Sequence, residues 1–253
     1  MSGIEVRLRA PLAAPADCSA LLAGEWTTLA AGELARRGVR IDGRTVPLGE
    51  LCDVAGAPDG TLRFTGDWSR AARLGAGLAE GALRVESDVG DEVGLGMAGG
   101  SIEVRGAAGA RAGAAPAEAR RGMTGGELVI HGPAGPEAGA LMRRGLVAVG
   151  GAVGHHAGVG MIAGTIVVFG PVGPAPGLWS KRGSLVAMGD VGIPSTYRYA
   201  CTYRPPHVPL ILMRLAARHG LRAEARHLTG SYRRYSGDLA ELGKGEILAW
   251  TAS

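Results

Sequence analysis

GELVIHGPAGPEAGALMRR (126–144), GLVAVGGAVGHHAGVGMIA (145–163) and GTIVVFGPVGPAPGLWSKR (164–182) follow one another without a gap. Each is 19 residues long, and each opens with Gly, any residue, apolar, any residue, apolar. The same opening recurs before them as GTLRF at Gly60, GALRV at Gly81 and GSIEV at Gly100, and after them as GSLVA at Gly183. The seven starts (Gly60, Gly81, Gly100, Gly126, Gly145, Gly164 and Gly183) are separated by 21, 19, 26, 19, 19 and 19 residues. Thirteen residues after five of the starts stand Gly94, Gly113, Gly139, Gly158 and Gly177, and three residues before four of them stand Met97, Met123, Met142 and Met161. Columns that stay in phase over six intervals mark an internal repeat, and a repeat decides the architecture before any single residue does.

The physics of such a unit is narrow. Its first five residues alternate with period two and are rich in β-branched side chains, which makes a short strand. Glycines at fixed phases supply positive φ or close backbone approach where the chain turns. Nineteen residues with several Gly corners are too few for a helix-turn-helix repeat. They match one coil of a parallel β-helix, in which each strand pairs with its equivalent one coil up. At roughly 4.8 Å per coil, seven coils make a rod on the order of 34 Å long. The apolar positions two and four residues after each start then point inward, in ladders such as Leu128, Val147, Ile166 and Leu185. The methionine column forms another inward ladder, because Met fills irregular gaps. The seven surplus residues between Gly100 and Gly126 form a bulging corner or a short helix.

A stack of coils ends in unpaired strand edges that need covering. Residues 1–59 are read as an N-terminal cap with a strand over Ile4–Leu8 and a helical patch over Glu33–Arg37. Residues 60–201 hold the repeats, and residues 202–253 form a C-terminal helix and a closing segment. The helix is placed at 207–222, with Leu210, Ile211, Met213 and Leu215 apolar and Arg214, Arg218 and Arg222 on another face. Tyr197, Tyr199 and Tyr203 are expected on one strand with an aromatic face, and GEILAW (245–250) is expected to return as a last strand.

Composition excludes several classes. Gly supplies 44 of 253 positions without a Gly-X-Y register, so the chain is not collagen-like, and 46% hydrophobic residues argue against disorder. No apolar run is long enough to span a bilayer, and the N-terminus, MSGIEVRLRAPL, lacks a secretion signal's apolar core. Three cysteines (Cys18, Cys52 and Cys201) are too few for a disulfide framework. A soluble, cytoplasmic protein without nucleic-acid or membrane partners is expected. The cations divide into 25 Arg and two Lys, and neither Asn nor Gln occurs, a bias that reads as genome composition. The charge is uneven: residues 201–236 carry seven Arg and one acid, Glu224, for +6, which leaves −2 elsewhere.

Few residues propose chemistry. Gly94-Leu-Gly96-Met-Ala-Gly99 matches a dinucleotide fingerprint, but a strand follows it where a helix is required; it is a corner of the repeat. His155 and His156 are adjacent, and neighbours on extended backbone point opposite ways, so a shared metal is not expected. No zinc-ligand spacing occurs. Left-handed β-helix acyltransferases use a corner histidine as general base, and His155 or His156 takes that role in the alternative reading of a free-standing enzyme. Those proteins keep a strict hexapeptide period that this 19-residue unit lacks. Arg143-Arg144 and Lys181-Arg182 end the fourth and sixth coils, so four cations gather on one corner, with Arg120 and Arg121 near the same edge. No paired carboxylates, Ser-His-Asp set or phosphate loop accompanies them.

The seven coils resemble the C subunit of formylmethanofuran dehydrogenase and, more narrowly, the C subunit of the bacterial formyltransferase/hydrolase complex of methylotrophs. The segment that leaves the coils, GDVGIPSTYRYACTYRPPHVPLILMRL (189–215), and the ending GDLAELGKGEIL (237–248) extend the resemblance over nearly the whole chain. Glutamate synthase shares the coil in its Gly-rich C-terminal domain. The resemblance implies a right-handed parallel β-helix and a structural subunit of one-carbon metabolism without an active site or cofactor of its own. The implied partners are a zinc amidohydrolase-like A subunit, a B subunit and a D formyltransferase. Their complex passes a formyl group between tetrahydromethanopterin and methylofuran and releases formate; the dehydrogenase relatives carry molybdenum or tungsten in another subunit. The furan carrier has a glutamate-rich tail, and Arg143, Arg144, Lys181 and Arg182 are the residues expected to attract it or a partner.

Overall fold

The computed structural model describes residues 3–252. The N-terminal region contributes β1 (Gly3–Leu8), β2 (Ala16–Asp17), α1 (Ala31–Ala35), β3 (Gly38–Ile41), β4 (Arg44–Pro47), α2 (Leu48–Leu51) and β5 (Cys52–Ala57). The repeats contribute β6 (Thr61–Thr65), β7 (Ala71–Ala72), β8 (Ala82–Val85), β9 (Ser101–Val104) and β10 (Glu127–Ile130). They continue through β11 (Leu146–Val149), β12 (Thr165–Val168) and β13 (Arg182–Ala187). Beyond them lie β14 (Arg198–Tyr203), α3 (His207–His219), α4 (Ala225–Thr229), β15 (Ser231–Gly237) and β16 (Lys244–Thr251).

The protein is mostly β, with one twelve-stranded sheet and a four-stranded sheet of β4, β3, β2 and β7. The seven repeat strands stack parallel in sequence order, each start in register with the next: Leu128 lies opposite Val147, Val147 opposite Ile166, and Ile166 opposite Leu185. A second column of parallel bridges joins the units through Trp68, Val89, Ala108, Ala134, Val153, Val172 and Val191. A third joins them where Gly94, Gly113, Gly139, Gly158 and Gly177 each donate an N–H to a carbonyl of the preceding unit at 2.8–2.9 Å. Through the middle of the stack three ladders pair the backbone of one unit with that of the next.

Side chains between these columns form the core. Position two of every start is an aliphatic residue at most 1% exposed, from Leu62 to Leu185, and the ladder runs on into Ile4 of β1 and Ile247 of β16. Each such side chain contributes about 1.5–3 kcal/mol by leaving water. Met97, Met123, Met142 and Met161 lie inside, none more than 2% exposed. They help explain the glycines that open the last four units, Gly126, Gly145, Gly164 and Gly183. A Cβ on Gly145, whose φ is +99°, falls 2.7 Å from the Gly126 carbonyl oxygen and 2.8 Å from the Met123 methyl, so neither conformation nor space admits another residue.

The regions before and after the repeats join the stack as well as covering it. β1 pairs parallel with β6, and β16 pairs parallel with β13, so nine strands run parallel. At the outer ends the pairing turns antiparallel: β5 lies antiparallel on β1, β15 antiparallel on β16, and β14 antiparallel on β15.

Several sequence expectations are refined. The insertion after Gly100 is a turn, closed by Ala119 N–H to the Pro116 carbonyl at 2.9 Å, with no helix. α1 begins two residues before the expected patch, with Glu33 accepting the Ala30 N–H at 3.0 Å. α3 stops at His219 because Gly220 turns left-handed at φ +70°, and its N–H and that of Leu221 return to Ala216 and Leu215. The tyrosines do not share a face. Tyr197 precedes β14 and plugs the core, donating its hydroxyl to the Gly177 carbonyl at 2.9 Å, whereas Tyr199 is 59% exposed. No helix among the described residues is long and apolar enough to cross a membrane.

α3 lies on the outer face of the sheet. Val208, Leu212 and Leu215 pack with Val129, Ala148, Val167, Val186 and Leu248, the outward third positions after their glycines, in a second core beside the first.

Candidate functional site

The two dibasic pairs come together. Arg143 and Arg144 lead into β11, and Lys181 precedes β13, which Arg182 opens, each pair held by backbone bonds to the unit below: Arg143 N–H to the Met123 carbonyl and Lys181 N–H to the Met161 carbonyl, both 2.8 Å. Two units of stacking separate the pairs by about 10 Å. Arg121, from the end of the insertion, joins them around an open basin of about 780 Å³, whose floor is Gly145, Ile162, Ala163 and Gly164 and whose rim carries Leu242. No carboxylate lines this basin. Among the described residues none of its five cations enters an ion pair. Register adds a sixth charge, since Lys244 stands directly opposite Arg182 across β13 and β16. Like charges facing each other cost stability.

Four of the six histidines fall into two settings. His156 takes φ +61°, so the backbone is not extended there, and the rings of His155 and His156 meet at 4.7 Å with their Nδ1 atoms 3.1 Å apart. The expected opposite orientation fails for that reason. Among the described residues no group of three or more His, Cys, Asp or Glu side chains is arranged to hold a metal ion.

His131 belongs to an ionic cluster on the outer face, which the sequence did not announce. Glu103, 3% exposed, accepts from His131 Nε2 at 2.9 Å and pairs with Arg105 at 3.1 Å. Glu127 is held by Arg214 at 2.6 Å and Arg218 at 3.2 Å, both from α3. Between the carboxylates sits His219, 8% exposed, with Nδ1 3.6 Å from Glu103 and Nε2 3.4 Å from Glu127. Burial opposes charge on Glu103, but the facing His219 imidazole, the bond from His131 and the nearby Arg105 win and hold its pKa down at about 2. The facing Glu103 carboxylate, with Glu127 bonded at Nε2, raises His219 against the pull of burial. Every carboxylate here is committed to a cation, so the cluster fastens the end of α3 to the sheet. Arg214 and Arg218, read from sequence as a helix face, spend part of their charge in it.

A second ionic feature also escaped the sequence reading. Arg73 pairs with Asp17 and Glu92, and Arg111 pairs with Glu92 and Glu137, at 2.7–3.1 Å, which makes a ladder of alternating charge along one corner. Its members recur at the repeat spacing (73, 92, 111 and 137), and that was the signal available.

No protein-family profile matches the chain. No curated protein matches it. Among solved structures, a chain in the X-ray crystal structure of the formyltransferase/hydrolase complex (FhcABCD) from Methylorubrum extorquens, in complex with methylofuran, is similar to it. The two are 35% identical, the alignment covers 98% of this chain and 100% of that one, and the TM-score is 0.78.

Proposed function

This chain belongs to the family of the FhcABCD subunit it matches, and we propose from that premise that it is the C-type, non-catalytic subunit of a formyltransferase/hydrolase complex. In this reading the parallel stack is a right-handed β-helix, the hand general to parallel crossovers. Residues 1–59 cap it, 60–201 form the coils, and 202–253 supply the helix and the closing strand. The full-length likeness to a subunit of that assembly is the observation that carries the proposal.

The mechanism is one of spacing. Three backbone ladders per unit make a rod whose length is set by coil number, and a rigid rod with long faces suits extensive interfaces. It holds a zinc amidohydrolase-like A subunit, a B subunit and a D formyltransferase at fixed separation. The partners carry out formyl transfer between tetrahydromethanopterin and methylofuran and the release of formate in a methylotroph's cytoplasmic one-carbon metabolism. Purification from the native host, with identification of the co-purifying subunits and a formyl-transfer assay, tests this. Recovery of a hydrolase-like and a formyltransferase subunit, active only as the complex, is expected. A chain recovered alone, with acyl-transfer activity lost on His155→Ala or His156→Ala, would overturn it.

The basin of Arg121, Arg143, Arg144, Lys181 and Arg182 is the binding site in this proposal, and its ligand is the carrier's glutamate-rich tail. Unneutralised cations at the ends of alternate units match a chain of carboxylates, and the attraction weakens with salt. Reversing Arg143, Arg144, Lys181 and Arg182 to Glu raises the KM for a long-tailed carrier at least fivefold and leaves a tail-free analogue nearly unchanged. Equal effects on the two substrates refute the assignment.

A further inference from the structure

Helix α3 buries one face and leaves the opposite one bare. Leu210 and Met213 are 64% and 51% exposed, and Ala217, also exposed, continues their stripe at helical spacing. Cations surround the stripe. Arg204 precedes the helix, Arg222 follows its Gly220 cap, and Arg214 and Arg218 run along one flank. The last two pair with Glu127, yet 54% and 60% of their side chains face solvent, and a guanidinium has five donors. Arg204 and Arg222 enter no ion pair among the described residues, and the one acid of segment 201–236, Glu224, is engaged by Arg226. Beside Ile211, Arg214 and Arg218 the helix overhangs a cleft of about 690 Å³, floored by glycines such as Gly126 and Gly145.

We propose that this outer face of α3, with its cleft, is a protein–protein interface, and that its occupant is another subunit presenting an apolar ridge rimmed by Asp and Glu side chains. An apolar centre inside a charged rim is the usual anatomy of such a surface, and the excess of arginine fixes the sign of the rim opposite. A second copy of this chain fits badly, since apposed α3 faces set arginine against arginine. The inference rests on the reading of the chain as a subunit of a complex, and adds which face is used and what meets it.

The experiment is co-expression of this chain, tagged, with the other subunits of its complex, compared with a Leu210→Asp/Met213→Asp variant. One subunit is expected to fall at least tenfold in the variant's eluate while thermal unfolding of the variant chain is unchanged, because both side chains are exposed. A second variant, Arg204→Glu/Arg222→Glu, lowers recovery of that same subunit and flattens its loss with added salt. Undiminished recovery of every subunit by both variants overturns the interface alone. A wild-type chain that recovers no subunit overturns the complex reading and the inference with it. Self-association, or binding to anionic lipid vesicles, that is lost in the Leu210→Asp/Met213→Asp variant assigns the face to a different occupant and also overturns it.

Discussion

The outer faces of the first three and the last four repeat strands differ although their inner faces are alike. The outward third position reads Arg63, Arg84 and Glu103 in β6, β8 and β9, then Val129, Ala148, Val167 and Val186 in β10 to β13. The inward second position is aliphatic throughout and at most 1% exposed. The inner positions answer to one core, so the repeat holds them constant. The outer position answers to whatever covers the sheet, and the change from charge to apolar side chains marks where α3 lies. The ionic cluster of Glu103, His219 and Glu127 stands at that border and fixes the helix end to it.

The largest expected effect breaks the covered half. Val167→Asp buries an unpaired carboxylate under α3 and costs about 4 kcal/mol or more, read as loss of the cooperative thermal transition. The inner ladder is expected to ignore the boundary. Leu83→Ala and Ile166→Ala, one in each half, each cost about 2–5 kcal/mol by denaturant unfolding; an effect confined to one half would show that the two regions do not share a core.

The border itself titrates. His219 has a raised pKa in the folded state, so its contribution is full below the ordinary imidazole value of 6.5 and is lost as pH rises through the raised value. Glu103 has the opposite sign: its contribution is present above the ordinary 4.5 and is lost as pH falls toward about 2. His219→Gln is expected to cost about 1.5–3 kcal/mol at pH 6, the range for a hydrogen bond to a charged group, and progressively less toward pH 9. Thermal unfolding across that range reads the gap between wild type and variant; a gap that widens with pH contradicts the assignment. The smallest effect falls on the uncovered half, where Arg63→Ala removes a partly exposed pair with Glu86 and changes stability by at most about 1 kcal/mol.

The columns were legible in sequence because they are local and repeated: Gly126, Gly145, Gly164 and Gly183 open units of fixed length, and Met123, Met142 and Met161 precede them. The change of the outward column between Glu103 and Val129 was equally visible and was the sign of a covering helix. The Glu103–His219–Glu127 cluster was not legible, since His219 lies 92 residues from Glu127 and 116 from Glu103 and meets them only when α3 docks. The meeting of His155 and His156 hung on the sign of one φ angle, which a β-helix corner sets and a two-residue motif does not. The cations of the basin were named correctly as neighbours from their phase in the repeat; the absence of any carboxylate in its lining depends on the folded surface.

The central claim is that this chain joins catalysts without being one. The most direct measurement is formate release from a formyl-tetrahydromethanopterin donor by the reconstituted partner subunits and methylofuran, with and without this chain, and by this chain alone. The expected result is coupled release that falls at least tenfold when the chain is omitted, with no turnover by the chain by itself. Undiminished release in its absence, or turnover by the isolated chain, would contradict the claim.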